Sequence, residues 1–119
     1  MRSILFVDDS DYVLQSIKRM LNDVRDEWDI VFAESGAHAV AHLQERLFDI
    51  VVTDLKMPGM NGIEVLKTLR LLHPEASGFI LSGNLESEEV RTCLAEGYRL
   101  IEKPCSAEML KAIMEEDGA

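Results

Sequence analysis

Acidic side chains follow two apolar segments of this chain, at the points where buried strands are expected to end. Asp8 and Asp9 come directly after residues 4–7 (ILFV), and Asp54 follows residues 50–53 (IVVT). Adjacent carboxylates beside an apolar core raise each other's pKa and destabilise the fold unless a cation or hydrogen bonds compensate. Either a surface loop begins at once and water solvates them, or they bind a cation.

A hydroxyl and an ammonium group follow two further apolar segments. Ser82 comes after residues 79–81, and Lys103 lies just beyond residues 100–101. Clustered carboxylates are suited to a hard cation such as Mg²⁺, and a carboxylate can itself be the nucleophile that forms an aspartyl phosphate. Metal and lysine can then neutralise the charge that develops on the phosphoryl oxygens. Together these groups suit a cation site whose chemistry could include phosphoryl transfer.

Short apolar segments and helical patterns alternate along the chain. The apolar segments are continuous and rich in β-branched residues, which is typical of parallel strands covered on both faces, whereas Trp28–Ala33 alternates more and predicts an edge strand. Asn61 with Glu64 predicts a capping box at the start of one helix. The predicted helices occupy residues 13–24, 36–47, 61–72, 87–94 and 106–114.

The order of these elements is a strand followed by a helix, five times over. Such alternation predicts one parallel sheet with helices on both faces and right-handed crossovers. In these sheets ligands bind outside the carboxyl ends of the strands. The three carboxylates, Ser82 and Lys103 are therefore expected at one rim, and this convergence favours a cation site over a solvated loop at Asp8 and Asp9.

Composition limits the classes of function. The 119 residues suffice for one domain, and a hydrophobic content of 47% excludes disorder. A formal net charge of −10 argues against binding nucleic acid or an anionic membrane. No apolar run approaches the roughly 18–20 residues of a membrane span. Cys93 and Cys105 have no metal-site spacing, so we expect reduced thiols in a cytoplasmic protein.

The segment DLKMPGMNG, residues 54–62, resembles the phosphoacceptor segment of the response-regulator receiver domains of bacterial two-component signalling. VDDS, LSG and KP stand at the other positions expected for that family, so the resemblance covers essentially the whole chain. It implies an α/β, flavodoxin-like (βα)5 fold with strand order 2-1-3-4-5. It also implies one receiver domain over residues 1–119, either stand-alone or excised from a longer regulator.

The resemblance assigns roles to the acidic residues. Asp54 is implied to be the residue that a partner histidine kinase phosphorylates. Asp9 and Asp54 are implied to ligate Mg²⁺ directly, Asp8 to act through a metal-bound water, and the backbone carbonyl of Lys56 to complete the protein ligands.

Further roles follow from the same resemblance. Ser82 is implied to be the switch hydroxyl that moves toward the phosphoryl group. Lys103 is implied to contact a phosphoryl oxygen, and its bond to Pro104 is expected to be cis. The remaining positions expected to flank the phosphoryl group, to control access to it or to influence its hydrolysis are Lys56, Gly83 and Asn84.

One position departs from the family pattern. The family usually carries Tyr or Phe three residues before the lysine, where this chain has Leu100. A leucine can repack when Ser82 moves but cannot make a phenolic hydrogen bond. Tyr98 lies two residues earlier and thus on the same face of the strand, where it could substitute in part.

The family resemblance predicts a phosphorylation-dependent switch rather than a metabolic enzyme. The domain would catalyse only its own phosphorylation and dephosphorylation, and the surface of residues 87–114 (fourth helix, fifth strand and fifth helix) would change. The expected partners are a sensor histidine kinase or phosphotransfer protein, an output domain or effector protein, and a second copy in a homodimer.

Two alternatives remain open from the sequence. The first is a phosphorylation-independent interaction module with a receiver fold, which Leu100 favours and the acidic residues oppose. The second is an aspartate-nucleophile phosphatase of the haloacid dehalogenase type, because Asp9-Ser-Asp11-Tyr-Val13 matches its DxDx[TV] signature. This second alternative leaves Asp54 without a role.

Overall fold

A computed structural model of the chain describes residues 1–117. It contains five strands and five helices that alternate along the chain. The strands are β1 Arg2–Val7, β2 Trp28–Ala33, β3 Ile50–Asp54, β4 Ser77–Ser82 and β5 Arg99–Glu102. The helices are α1 Asp11–Met20, α2 Gly36–Glu45, α3 Gly62–Leu72, α4 Glu88–Ala95 and α5 Ala107–Asp117.

The strands form one sheet in the order β2-β1-β3-β4-β5, and the strand pairs are parallel. This confirms the predicted flavodoxin-like fold, with β2 as an edge strand. The register aligns Asp54 of β3 with Leu81 of β4, and Ser82 of β4 with Glu102 of β5. The carboxyl ends of β3, β4 and β5 therefore lie side by side, next to the end of β1.

Two apolar layers enclose the sheet, because successive residues of each strand point to opposite faces. In β1, Leu5 and Val7 join the layer beneath α2, α3 and α4. Ile4 and Phe6 join the layer beneath α1 and α5. Burial on both faces explains why the strands read as continuous apolar runs.

Side-chain caps start the helices close to where the sequence predicts. Ser10, Ser35 and Ser87 accept hydrogen bonds from the first turns of α1, α2 and α4, which satisfies backbone donors that the helix leaves free. Asn61 and Glu64 form the predicted capping box at α3.

The ends of two helices differ from the prediction. The pattern over residues 13–24 divides into α1 and a separate 3₁₀ turn at Asn22–Val24. α2 ends at Glu45, because Arg46 adopts an extended conformation. Leu47 is therefore exposed, and Phe48 fills the core at this turn instead. Within residues 1–117, no helix combines the length and apolarity that a membrane crossing requires.

Candidate functional site

The carboxyl end of β1 presents two aspartates in different environments. The backbone N–H of Asp8 donates to the carbonyl of Ala33 at 3.1 Å, so strand pairing continues to this residue. Asp8 is only 1% exposed, whereas Asp9 is exposed. Oδ1 of Asp8 accepts a hydrogen bond from the backbone N–H of Ser10 at 2.9 Å. Its Oδ2 is buried without a hydrogen-bond partner in the described part of the chain.

Asp54 ends β3 and is 8% exposed. Its backbone is fixed on both sides. The buried hydroxyl of Thr53 donates to the Asp54 carbonyl at 3.0 Å, and α3 begins so close by that a Cβ on Gly62 would collide with the same carbonyl oxygen. The Asp54 carboxylate therefore projects from a fixed strand end rather than from a loop.

Lys103 joins two of the carboxylates. Its Nζ donates to Oδ1 of Asp54 at 3.0 Å and lies 3.3 Å from Oδ2 of Asp8. Burial lowers the pKa of Lys103, but the hydrogen bond and charge of Asp54, together with Asp8, outweigh burial and hold that pKa above its ordinary value. Lys103 is therefore a permanent cation at this rim.

One lysine does not balance the three carboxylates. One oxygen each from Asp8, Asp9 and Asp54 lies within 4.8 Å of the others. Burial raises the pKa of Asp54, the hydrogen bond from Lys103 opposes this rise, and the charges of Asp8 and Asp9 add to it. Oδ2 of Asp8 is buried with the shared Lys103 ammonium 3.3 Å away, and the remaining excess of negative charge fits a hard divalent cation, since Mg²⁺ accepts carboxylate oxygens.

Ser82 lies at the adjacent strand end and is buried. Its hydroxyl donates to the carbonyl of Asn84 at 3.3 Å and accepts from the Asn84 N–H at 3.2 Å. The Asn84 side chain in turn accepts from the N–H of Glu86 at 3.1 Å, just before α4. The hydroxyl of Ser82 is thus bonded within the loop that leads to α4.

Gly83, Lys103 and Pro104 shape the rim beside Ser82. The backbone N–H of Lys103 donates to the carbonyl of Ser82 at 2.9 Å, and the Lys103–Pro104 peptide bond is cis. Gly83 is exposed, and a Cβ there would meet only Cβ of Lys103 at 3.9 Å. The approach to this rim on the Gly83 side is therefore open.

The side chains of two further predicted site residues make contacts outside the carboxylate cluster, while the role predicted for the backbone carbonyl of Lys56 stays a prediction. The exposed ammonium group of Lys56 is 3.9 Å from Oε2 of Glu89, in the first turn of α4. Leu100 is half-buried and packs against the layer beneath α3 and α4, on the same face as Tyr98.

Sequence reasoning missed Thr53 and Glu89. Thr53 is a fully buried polar residue directly before Asp54, and that position in an otherwise apolar strand was a signal for it. Nothing in the local sequence marks Glu89 as the partner of Lys56.

Comparison with known proteins identifies relatives that are longer than this chain. A response regulator receiver protein from Anaeromyxobacter sp. is 31% identical over 82% of this chain and 40% of its own length. A cyclic di-GMP phosphodiesterase from Thermotoga maritima is 29% identical over 92% of this chain and 29% of its own length. The chain thus spans well under half the length of these curated relatives.

Solved structures of the same fold cover nearly the whole chain. Chemotaxis protein CheY4 from Vibrio cholerae is 27% identical, with a TM-score of 0.85 and 98% of both chains covered. The receiver domain of the sensor histidine kinase PA1611 from Pseudomonas aeruginosa, solved with magnesium coordinated in its active site cleft, has a TM-score of 0.86 at 20% identity. At that identity the second likeness concerns the fold alone.

The family model described as the response regulator receiver domain matches residues 4–115. That range includes every strand end of the acidic rim. This chain therefore belongs to the response regulator receiver domain family.

Proposed function

We propose that this chain is a phosphorylation-dependent signalling switch whose Asp54 accepts a phosphoryl group from a sensor histidine kinase or phosphotransfer protein. The observation that carries the proposal is the buried Asp54 carboxylate, hydrogen-bonded to Lys103 and within 4.8 Å of the Asp8 and Asp9 oxygens. A carboxylate beside a fixed cation and two further carboxylates suits metal-assisted phosphoryl transfer.

Asp8, Asp9 and Asp54 are the residues we expect to hold Mg²⁺, with the backbone carbonyl of Lys56 as an additional ligand. When bound there, Mg²⁺ supplies positive charge that neutralises the phosphoryl oxygens. The side chain of Lys56 has a different place, since it pairs with Glu89 on α4. The Lys56 ammonium can influence hydrolysis of the phosphoryl group only if it leaves Glu89 and turns to the phosphoryl group.

The transfer step uses the Asp54 carboxylate as nucleophile. One of its oxygens bonds to phosphorus while the bond from phosphorus to the donor's imidazole nitrogen breaks, and the electron pair leaves with that nitrogen. Lys103 stabilises the negative charge on the transferring group, because its ammonium already lies within hydrogen-bond distance of the acceptor. Gly83 leaves room for the donor.

Ser82 is the group that would report phosphorylation to the surface. If its hydroxyl turns to the phosphoryl group, it abandons both hydrogen bonds to Asn84 and moves the loop that leads to α4. To invert a two-state equilibrium takes roughly 3–5 kcal/mol. Hydrogen bonds to a charged group contribute about 1.5–3 kcal/mol each. Contacts of Ser82 and Lys103 with the phosphoryl group are of this order before the hydrogen bonds to Asn84 and Asp54 that they replace are subtracted, and this difference is what would change the surface of α4, β5 and α5.

The partners follow from the family and from the acidic rim. We infer a kinase or phosphotransfer protein as donor and an output domain or separate effector as target, with a homodimer through the α4-β5-α5 surface as a further state. Cys93 and Cys105 are free thiols, which supports a reducing, cytoplasmic compartment.

Two other functions fit the geometry less well. A phosphorylation-independent interaction module would explain Leu100, but it gives no reason for the Lys103 contacts with Asp54 and Asp8. A phosphatase that uses Asp9 as nucleophile and Asp11 as acid would need both at one site. Asp11 instead begins α1 and is not part of the acidic cluster.

Intact mass after incubation with acetyl phosphate and Mg²⁺ tests the proposal. We expect a gain of one phosphoryl group in the wild type, and no gain in Asp54→Ala or in the presence of EDTA. Equal labelling of the wild type and Asp54→Ala would contradict the role of Asp54. No labelling, together with no Mg²⁺ binding, would favour the interaction module.

A further inference from the structure

Two elements, which we call arms, contact Asp54 and extend away from it: α3 and β5. The first is α3, which starts against the Asp54 carbonyl at Gly62 and is fixed there by a hydrogen bond from the Gly62 N–H to the carbonyl of Leu55 at 2.9 Å. Its eleven residues span roughly 16 Å at 1.5 Å per residue and carry the chain toward the amino ends of the strands, at the end of the sheet opposite the acidic rim. Arg70 lies in its last turn.

The second arm is β5. Lys103, which bonds the Asp54 carboxylate at 3.0 Å, directly follows β5. The amino end of β5 lies at the opposite end of the sheet from the acidic rim, and Tyr98 immediately precedes it. Both arms therefore contact Asp54 at one end and lie near each other at the amino ends of the strands.

Arg70 and Tyr98 join the far ends of the arms. The Arg70 guanidinium lies 4.4 Å from the centroid of the Tyr98 ring. Its Nη2 also donates to the carbonyl of Glu96, just after α4, at 2.8 Å. One side chain of α3 thus contacts both the end of α4 and the start of β5. We call this set of contacts the Arg70–Tyr98 latch.

The Tyr98 ring fits closely in its place. Tyr98 is 6% exposed. Gly78 of β4 leaves the space for it, since a Cβ there would lie 3.4 Å from Cδ1 of Tyr98 and 2.9 Å from Cδ2 of Leu66. A ring held this tightly cannot follow a shift between α3 and β5 without changing its contacts.

The latch carries an uncompensated polar group. The Tyr98 hydroxyl is buried and has no hydrogen-bond partner among residues 1–117. Burial also raises the pKa of Tyr98 above its ordinary value. A buried hydroxyl without a partner destabilises the state that contains it. The closed latch is therefore an arrangement from which Tyr98 gains a hydrogen bond by reaching water.

We propose that phosphorylation of Asp54 opens the Arg70–Tyr98 latch, so that the Tyr98 hydroxyl reaches solvent and Arg70 releases the carbonyl of Glu96. The proposal rests on the proposed function. Phosphorylation enlarges the acceptor and draws Lys103 to the phosphoryl group, so both arms shift at their common origin. Leu100 contributes no polar group on this face of β5, which leaves Tyr98 as the residue whose environment changes.

The two tyrosines of the chain allow a direct test. Tyr12 is 78% exposed and Tyr98 is buried, so 3-fluorotyrosine labelling should give one solvent-accessible and one protected fluorine resonance. The Tyr12→Phe variant assigns them. After acetyl phosphate and Mg²⁺ are added, with phosphorylation verified by mass in the same sample, the Tyr98 resonance should become sensitive to the H₂O/D₂O ratio.

The outcomes separate the two proposals. A phosphorylated sample in which Tyr98 stays protected overturns the latch and leaves the proposed function intact. A sample that acquires no phosphoryl group contradicts the proposed function, and the latch mechanism falls with it.

Variants test the latch at equilibrium. Coupling between two sites is reciprocal, so loosening the latch should favour the activated state. Arg70→Gln should bind beryllofluoride, an analogue of the phosphoryl group, more tightly by about two- to fivefold, the range that loss of one exposed cation–π contact allows. Tyr98→Phe, which removes the unpartnered hydroxyl and stabilises the closed latch, should bind it more weakly.

Arg46 provides a matched control. It also stacks on an aromatic ring, with its guanidinium 4.7 Å from the centroid of Phe48, but it follows α2 and belongs to neither arm. Arg46→Gln should leave beryllofluoride affinity unchanged. Equal affinities for Arg70→Gln and the wild type would overturn the latch.

Discussion

Replacing Lys103 by Met should destabilise the metal-free domain. The Lys103 ammonium contacts Asp54 at 3.0 Å and Asp8 at 3.3 Å, and both carboxylates are buried. Loss of one partner of a buried ion pair costs about 3–5 kcal/mol. The Lys103 side chain is 29% exposed, so solvent screens part of that interaction. We expect a loss of about 2–3 kcal/mol in the free energy of unfolding, which is roughly 6–15 °C in Tm.

Urea denaturation in EDTA measures this loss. Methionine keeps most of the length of lysine and removes only the charge. Without Lys103, Asp54 loses the hydrogen bond that opposes the rise of its pKa, so its pKa rises further and the native state binds a proton more tightly than the unfolded chain. The deficit of the variant should therefore shrink as pH falls from 7 toward 4. Mg²⁺ should restore much of the stability at pH 7, because it replaces the missing positive charge.

Lys67 is the control for this experiment. It is exposed on α3, away from the acidic rim, and Lys67→Met should leave the free energy of unfolding within about 0.5 kcal/mol of the wild type. A Lys103→Met variant as stable as the wild type in EDTA, with no pH dependence of the difference, would refute the electrostatic account of the rim.

Three further predictions concern Asp54 and its surroundings. Burial raises the folded-state pKa of Asp54 above its ordinary value near 3.8, so the wild type should lose stability as pH rises from about 4 through that raised pKa. In EDTA, Asp54→Asn should be more stable than the wild type at pH 7, and this advantage should vanish below about pH 4. Equal denaturation curves at pH 7 would contradict this prediction. Gly62→Ala should lower the free energy of unfolding by more than about 2 kcal/mol, because its Cβ would collide with the Asp54 carbonyl. Gly59→Ala, at φ 75° in open space, should lower it by about 1 kcal/mol. Thermal denaturation ranks the two variants, and a larger loss in Gly59→Ala would rule out a close approach of Gly62 to the Asp54 carbonyl. Ser82→Ala should still be phosphorylated by acetyl phosphate, but hydrogen exchange in α4 should no longer respond; an unchanged response would remove Ser82 from the switch.

Much of the fold follows from patterns within the sequence. The continuous apolar runs ending at Val7 and Thr53 predict central strands because both of their faces are buried. Trp28–Ala33 shows its edge position by weaker burial along its length. The acidic rim was predictable because a parallel sheet brings the carboxyl ends of its strands together. The strand pattern alone therefore predicts that residues distant in sequence, such as Asp9 and Lys103, lie at the same rim.

Other features depend on tertiary contacts that no local pattern encodes. Leu47 and Phe48 are adjacent apolar residues, and only the extended backbone after α2 decides which of them is buried. All of β4 and α4 separates Arg70 from Tyr98 in the sequence, and their contact depends on the space left by Gly78. Such contacts are set by side-chain rotamers and packing, which periodicity does not describe.

We propose that Asp54, and neither Asp8 nor Asp9, carries the phosphoryl group. Borohydride reduces an acyl phosphate to an alcohol, so treatment of the acetyl phosphate-labelled protein followed by peptide mass mapping identifies the modified residue. We expect homoserine at position 54 and unmodified Asp8 and Asp9. Homoserine at position 8 or 9, or labelling that persists in Asp54→Ala, would contradict it.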